Sequence, residues 1–226
     1  CGSVSILSGG SADRSSGSVK VSSAGSGISG VSGDVLVETG KATAGTSGDI
    51  RLRSGASTNG KGGNIMLAIG EGDTGDGGDG VIIAGMSHAN GKKGGKIAIT
   101  GGIGASPHTV NGGDGGNAEI SGGEGRGGHS GDVGGDFVGK GGAAYAGSGG
   151  WVRLSTGRSS MTSSGDVLID SANAGRAGVS GNVALFTGTS SFGNTGYVSL
   201  STGDATAGKS GFVSIHVGRG DAGEGG

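Results

Sequence analysis

A phosphate-binding pattern lies near the end of the chain, where GDATAGKS at 203–210 matches the loop G-x-x-x-x-G-K-S. Such a loop needs a helix that starts at its lysine, because the N–H groups of the helix N-terminus hold the phosphates. Lys209 and Ser210 are followed instead by GFVSIHVG, whose alternation is typical of an extended segment. The related stretch GKATAGTS at 40–47 has Thr46 in place of the lysine. The sequence therefore predicts a repeat corner here, and no nucleotide site.

Acidic and amide residues recur directly after a glycine, which is a second pattern with possible chemistry. Stacked carboxylates could share Ca²⁺ with carbonyl oxygens. The favoured interpretation is that each side chain caps a chain corner by accepting backbone N–H groups. No cofactor and no metal site are predicted, with Ca²⁺ along this row as the alternative. The predicted corner caps are Asp34, Asp49, Asn64, Asp166 and Asn182.

Composition excludes several classes of protein. The chain has 226 residues, of which 62 are Gly, and it carries 16 basic and 18 acidic side chains for a net charge of −2. A balance so near neutrality predicts no binding to nucleic acid or to anionic membranes. No catalytic arrangement stands out among the many serines, so we expect a protein that is not an enzyme.

Internal repetition explains these patterns. Fourteen copies of 15 or 16 residues, longer only in the middle, begin at a Gly that we call the opening glycine. The first eight residues of a copy, as in GDVLVETG at 33–40, form its apolar segment, and the rest form its return segment. We expect one array over 1–226, with irregular copies at about 101–135 whose extra residues form loops.

Period-2 alternation within each apolar segment predicts a strand with one buried face. Positions three and five of each copy are mostly Val, Ile or Leu, and position seven is mostly Ser or Thr. We call these positions the first, second and third rows. The predicted core ladder comprises Val35, Val37, Ile50, Leu52, Ile65, Leu67, Val152, Leu154, Val183, Leu185, Val198, Leu200, Val213 and Ile215.

The fold predicted from this array is all-β, a single-domain parallel β-solenoid, or β-helix, with about 15 residues per coil. Glycine would supply corners of positive φ and close backbone approach. One alternative is a coil of 30 residues with two strands. A polyproline II bundle is a further alternative, although it would need glycine at every third position.

Both ends of the sequence coincide with repeat positions, since Gly2 and Gly226 are equivalent. Bare coil ends would expose unpaired backbone groups, so we expect copies to stack end to end or to join neighbouring repeats of a longer chain. Cys1 would lie at such a junction.

The repeat SGDV-L-TG-A-AG-SG resembles the Gly/Ser/Thr-rich tandem-repeat proteins of algal and protist cell surfaces. That resemblance covers the whole chain and implies an extracellular structural role. It carries no functional residue over to this sequence.

The sequence is compatible with three functions, each of a different class of protein. The favoured one is a fibre, sheath or stalk protein at the cell surface, whose partner is itself or an extracellular polysaccharide. An ice-binding protein is the alternative, with a row formed by Thr43, Thr58, Ser160, Ser191 and Thr206. The third is a carbohydrate-binding or carbohydrate-cleaving protein, for which Trp151 is the isolated candidate.

Overall fold

The computed structural model describes residues 2–220. Its backbone contacts divide the chain into two units, Cys1–Gly115 and Gly116–Gly226. The irregular copies predicted at about 101–135 fall on both sides of this boundary. The expectation of one array over the whole chain stays a prediction.

The predicted all-β solenoid is wrong, because residues 2–220 contain neither a helix nor a strand. A strand ladder needs regular N–H to C=O bonds between neighbouring segments. The backbone hydrogen bonds of these residues occur only in bends and at the bases of loops. This finding overturns the 15-residue β-helix coil and its 30-residue variant alike.

The energetics of one copy explain why alternation does not become a ladder. Each copy offers only two large apolar side chains for burial. Every residue that is ordered in a strand loses backbone freedom, and glycine loses the most of all. Period-2 patterning therefore describes the local alternation of side chains without securing a sheet.

The repeat nonetheless recurs in the backbone. One bend or turn lies between each pair of consecutive apolar segments, so the return segment is the place where the chain changes direction. Within the described residues these bends lie at 12–14, 28–29, 43–45, 58–60, 73–75, 89–91, 109–111, 128–131, 145–147, 160–162, 176–177, 191–193 and 206–208.

Glycines close the loops that contain these bends. The N–H of an opening glycine donates to the carbonyl of the glycine at position eight of the preceding copy. Gly17 bonds Gly9 at 3.0 Å, and Gly150 bonds Gly142 at 2.8 Å. The same bond is formed by Gly95 with Gly85, Gly135 with Gly123, and Gly165 with Gly157.

A second kind of contact lies between an opening glycine and the third-row residue of the copy before. A Cβ added to Gly63 would lie 3.3 Å from Ser54 Cβ, and one on Gly78 would lie 3.0 Å from Ile69 Cγ2. Both distances are tighter than ordinary van der Waals contact. Glycine relieves this crowding at Gly63 and Gly78, whereas a Cβ added to Gly48 would lie at an ordinary 3.5 Å from Thr39 Cγ2.

In the two long loops, at 102–115 and 122–135, the chain folds back on itself. A Cβ added to Gly115 would lie 3.8 Å from the carbonyl oxygen of Gly102. One added to Gly113 would lie 2.9 Å from the carbonyl carbon of Gly104. Residue numbers thus rise on one side of the loop as they fall on the other. The end of one copy therefore meets the start of the next in antiparallel fashion, whereas a parallel 15-residue coil would superpose equivalent positions.

The predicted positive-φ corners occur at only three glycines of the described chain: Gly45, Gly75 and Gly91, with φ of 105°, 87° and 68°. Each is the last residue of its bend. Most corners are therefore made with negative φ, and close approach explains more of the glycine content than left-handed backbone does.

We expect Gly122→Ala to open the loop at 122–135, while Gly123→Ala leaves it intact. A Cβ on Gly122 would collide with the carbonyl of Gly135, whereas Gly123 has nothing within 4 Å of that position. The collision should cost about 1–3 kcal/mol. The measurement is amide hydrogen exchange at Gly135, whose N–H donates to Gly123. Equal protection in the two variants would contradict the collision.

Repeat-equivalent glycines with different φ give a second test. Gly45 has a φ of 105°, while Gly208, in the equivalent slot, is not among the positive-φ residues. We expect Gly45→Ala to cost about 1–2 kcal/mol and to rearrange its bend, because a side chain is strained at positive φ. Gly208→Ala should leave its bend unchanged. NMR shifts and N–H to Hα couplings of the flanking residues measure this, and equal perturbation of both bends would count against it.

Candidate functional site

The periodic apolar surface is the main candidate site. Several first-row side chains are less exposed than the residues that follow them: Val35 is 52% exposed and Leu36 77%, while Ile65 is 54% exposed and Met66 83%. Alternate residues of an extended segment point to opposite sides, which accounts for the difference. Most of the large first-row side chains are 50–67% exposed, and Val4 is 92% exposed, so most segments present an apolar stripe to solvent.

The predicted core ladder does not form an enclosed core in the described residues, where no hydrophobic side chain is buried. Second-row residues are more exposed than first-row residues, as Val37 at 69% illustrates. All members of the ladder lie at the surface, namely Val35, Val37, Ile50, Leu52, Ile65, Leu67, Val152, Leu154, Val183, Leu185, Val198, Leu200, Val213 and Ile215.

Polar pairs show the same alternation. Asp49 pairs with Arg51, and the Glu124 carboxylate accepts a hydrogen bond from Arg126 Nε at 2.8 Å. Each pair joins residues two apart, which lie on one side of an extended chain. All four side chains are well exposed, so each pair contributes little stability. Both pairs neutralise charge locally at the surface.

The predicted corner caps Asp34, Asp49, Asn64, Asp166 and Asn182 are exposed. Among the hydrogen bonds of the described chain, none runs from a backbone N–H to these five side chains, and Asp49 binds Arg51 instead. Corner capping by this row stays a prediction. Caps do occur elsewhere: the N–H of Arg14 donates to Ser11 Oγ at 2.9 Å, and that of Thr162 to Ser159 Oγ at 2.8 Å.

The pattern GDATAGKS contains a bend at 206–208, directly before the exposed Lys209. No helix starts there, so the geometry that a phosphate loop needs is missing from this part of the described chain. The equivalent stretch at 40–47 bends at 43–45 and lines a depression of about 630 Å³ with Thr39, Lys41 and Gly45. The match of this stretch to the phosphate-loop motif is therefore explained by a bend of the repeat.

The row of Asp and Asn residues after the opening glycines was the alternative site for Ca²⁺. Across residues 2–220 no group of three or more His, Cys, Asp or Glu side chains is placed to hold a metal ion. Cys1, the predicted junction residue, lies outside the described residues.

The surface residues of the alternative functions are all exposed. Thr43, Thr58, Ser160, Ser191 and Thr206 each begin a bend, and Asp73 holds that place in another copy. The hydroxyl residues therefore share a position in the repeat, while ice binding stays a prediction. Trp151 is also exposed.

Within residues 2–220, no helix has the length and apolar content that a bilayer crossing requires.

The glycine contacts that close the loops were missed in the sequence. Position eight is Gly in most copies, as in Gly9, Gly85 and Gly157, and this recurrence is the signal that could have revealed a bond to the next opening glycine.

Comparison with known proteins adds no family, since the chain matches no family model, no curated protein and no solved structure.

We expect Lys209→Ala to leave stability within about 0.5 kcal/mol of the parent, because Lys209 is an exposed residue beside a bend. Added nucleotide with Mg²⁺ should not raise the midpoint of thermal unfolding. Circular dichroism measures both effects. A nucleotide-dependent rise that disappears in Lys209→Ala would restore the phosphate-loop interpretation.

Proposed function

We propose that this chain is a structural, non-enzymatic repeat protein of the extracellular or cell surface, which forms a fibre, sheath or stalk by packing against copies of itself. The observation that supports this proposal is the half-exposed first row, which recurs in consecutive copies at a step of 15 or 16 residues. Similarity in composition to the cell-surface tandem-repeat proteins supports the extracellular location.

The surface area indicates how much burial remains to be gained. The accessible surface is 22938 Å² for a chain of 21.0 kDa. A folded monomer of this mass exposes about 9,000 Å², and the unfolded chain about 30,000 Å². The excess over a folded monomer is several times the roughly 1,600 Å² of a standard protein interface. Association is therefore the route by which the apolar rows can leave water.

A second copy is the partner whose chemistry fits this surface. Its apolar residues recur at the same step, so two arrays can bring row against row over many copies at once. The charges are 16 basic and 18 acidic, with a net of −2, and they oppose association only weakly. Contacts repeated along an array add in the manner of multivalent binding.

Charge placed in the first row should disrupt this association. We expect Val198→Lys to lower self-association strongly, because a buried, unpaired ammonium would have to be desolvated. Ser199→Lys adds the same charge at the adjacent residue, on the opposite side, and should associate like the parent. Sedimentation velocity across a range of concentrations measures both variants. A parent that stays monomeric throughout, or equal effects of the two lysines, would refute the proposal.

A further inference from the structure

Three bends contain or adjoin an Asn-Gly pair. Asn59-Gly60 lies within 58–60, Asn90-Gly91 lies within 89–91, and Asn111 ends the bend at 109–111 just before Gly112. The asparagines of apolar segments precede bulkier residues: Ile65 follows Asn64, Ala118 follows Asn117, and Val183 follows Asn182.

We propose that Asn59, Asn90 and Asn111 are sites of spontaneous backbone modification, at which asparagine becomes aspartate or isoaspartate. The amide nitrogen of the following glycine attacks the side-chain carbonyl carbon of the asparagine and loses its proton. A carbon–nitrogen bond forms, ammonia leaves, and a cyclic imide results. Water then opens one of the two imide bonds. Cleavage of the bond between the ring nitrogen and the side-chain carbonyl carbon yields aspartate. Cleavage of the bond between the ring nitrogen and the main-chain carbonyl carbon yields isoaspartate.

The geometry leaves the attacking groups accessible. All three asparagines and their glycines are exposed. Among the hydrogen bonds of residues 2–220, none uses the N–H of Gly60, Gly91 or Gly112, and none uses an asparagine side chain at these sites. Glycine has no Cβ to hinder the approach of its nitrogen. Asparagine is one of the thermolabile residues that are less frequent in proteins of hyperthermophiles.

The bends differ in how firmly they are held. The turn at Asn90 is closed by the N–H of Lys92, which donates to the Ala89 carbonyl at 3.2 Å. The N–H groups of Asn111 and Val110 donate to His108 Nδ1 at 3.1 and 3.4 Å. The described hydrogen bonds include none within 58–60. Ring closure requires the backbone to rotate, so Asn59 reacts first and the other two follow more slowly.

Modification alters the surface of the array. Each conversion replaces a neutral amide by a carboxylate, and the net charge falls from −2 to −5 once all three sites have reacted. Isoaspartate also inserts a methylene into the backbone at the bend. The proposal stands independently of self-association, because it depends only on the bends.

The test follows the three sites by peptide mass mapping during incubation in mildly alkaline buffer, with Asn64, Asn117 and Asn182 as internal references. We expect Asn59 to react fastest, Asn90 and Asn111 more slowly, and the three references least. In concentrated urea the difference among the three Asn-Gly sites should disappear. Another order in buffer, or the same differences in urea, would overturn the proposal.

His108→Ala tests the role of the hydrogen bonds directly, since it removes the acceptor at Nδ1. We expect Asn111 to react about two- to tenfold faster, as the loss of one net hydrogen bond implies. His129→Ala is the matched control, because His129 Nδ1 accepts the N–H of Gly131 in the other long loop. It should leave the Asn111 rate unchanged. An unaltered rate in His108→Ala would refute the assigned order of the sites.

Discussion

The contact between successive glycines is the constraint on which the rest of the chain depends. At five loops of the described chain the opening glycine donates its N–H to the glycine at position eight of the copy before, and other opening glycines, such as Gly63, lie against a third-row side chain. Any Cβ at Gly17, Gly63 or Gly78 would crowd that neighbour. Where these contacts form, the end of one copy is held close to the start of the next.

Loop closure by glycine settles the local path of the backbone but encloses little apolar surface. The bonds lie at loop bases, while Val35, Ile65 and their equivalents remain about half exposed. A protein of this size ordinarily gains most of its stability from a buried core, and under the proposed function contacts with other copies would supply a contribution of that kind. The same regularity that prevents a central core produces a surface that can match itself.

Much of the local organisation could be predicted from the sequence. The repeat and the side-chain alternation seen in Asp49 and Arg51 both follow from glycine spacing and period-2 patterning. The nature of GDATAGKS as a bend was also predictable, because an alternating run follows Lys209. The sequence does not determine a parallel β-solenoid. The same alternation is compatible with segments that meet antiparallel at their ends and form no ladder.

By itself, then, the sequence determined the length of the repeat, the sides on which apolar and charged residues lie, and the near-neutral charge. These are properties of neighbouring residues and need no long-range contact. Only the tertiary structure decided that Gly135 meets Gly123, that φ is positive at Gly45, and that the Val198 row stays exposed. Such features depend on which distant groups approach each other. In a glycine-rich chain the balance between burial and backbone entropy decides that approach, and alternation alone does not reveal it.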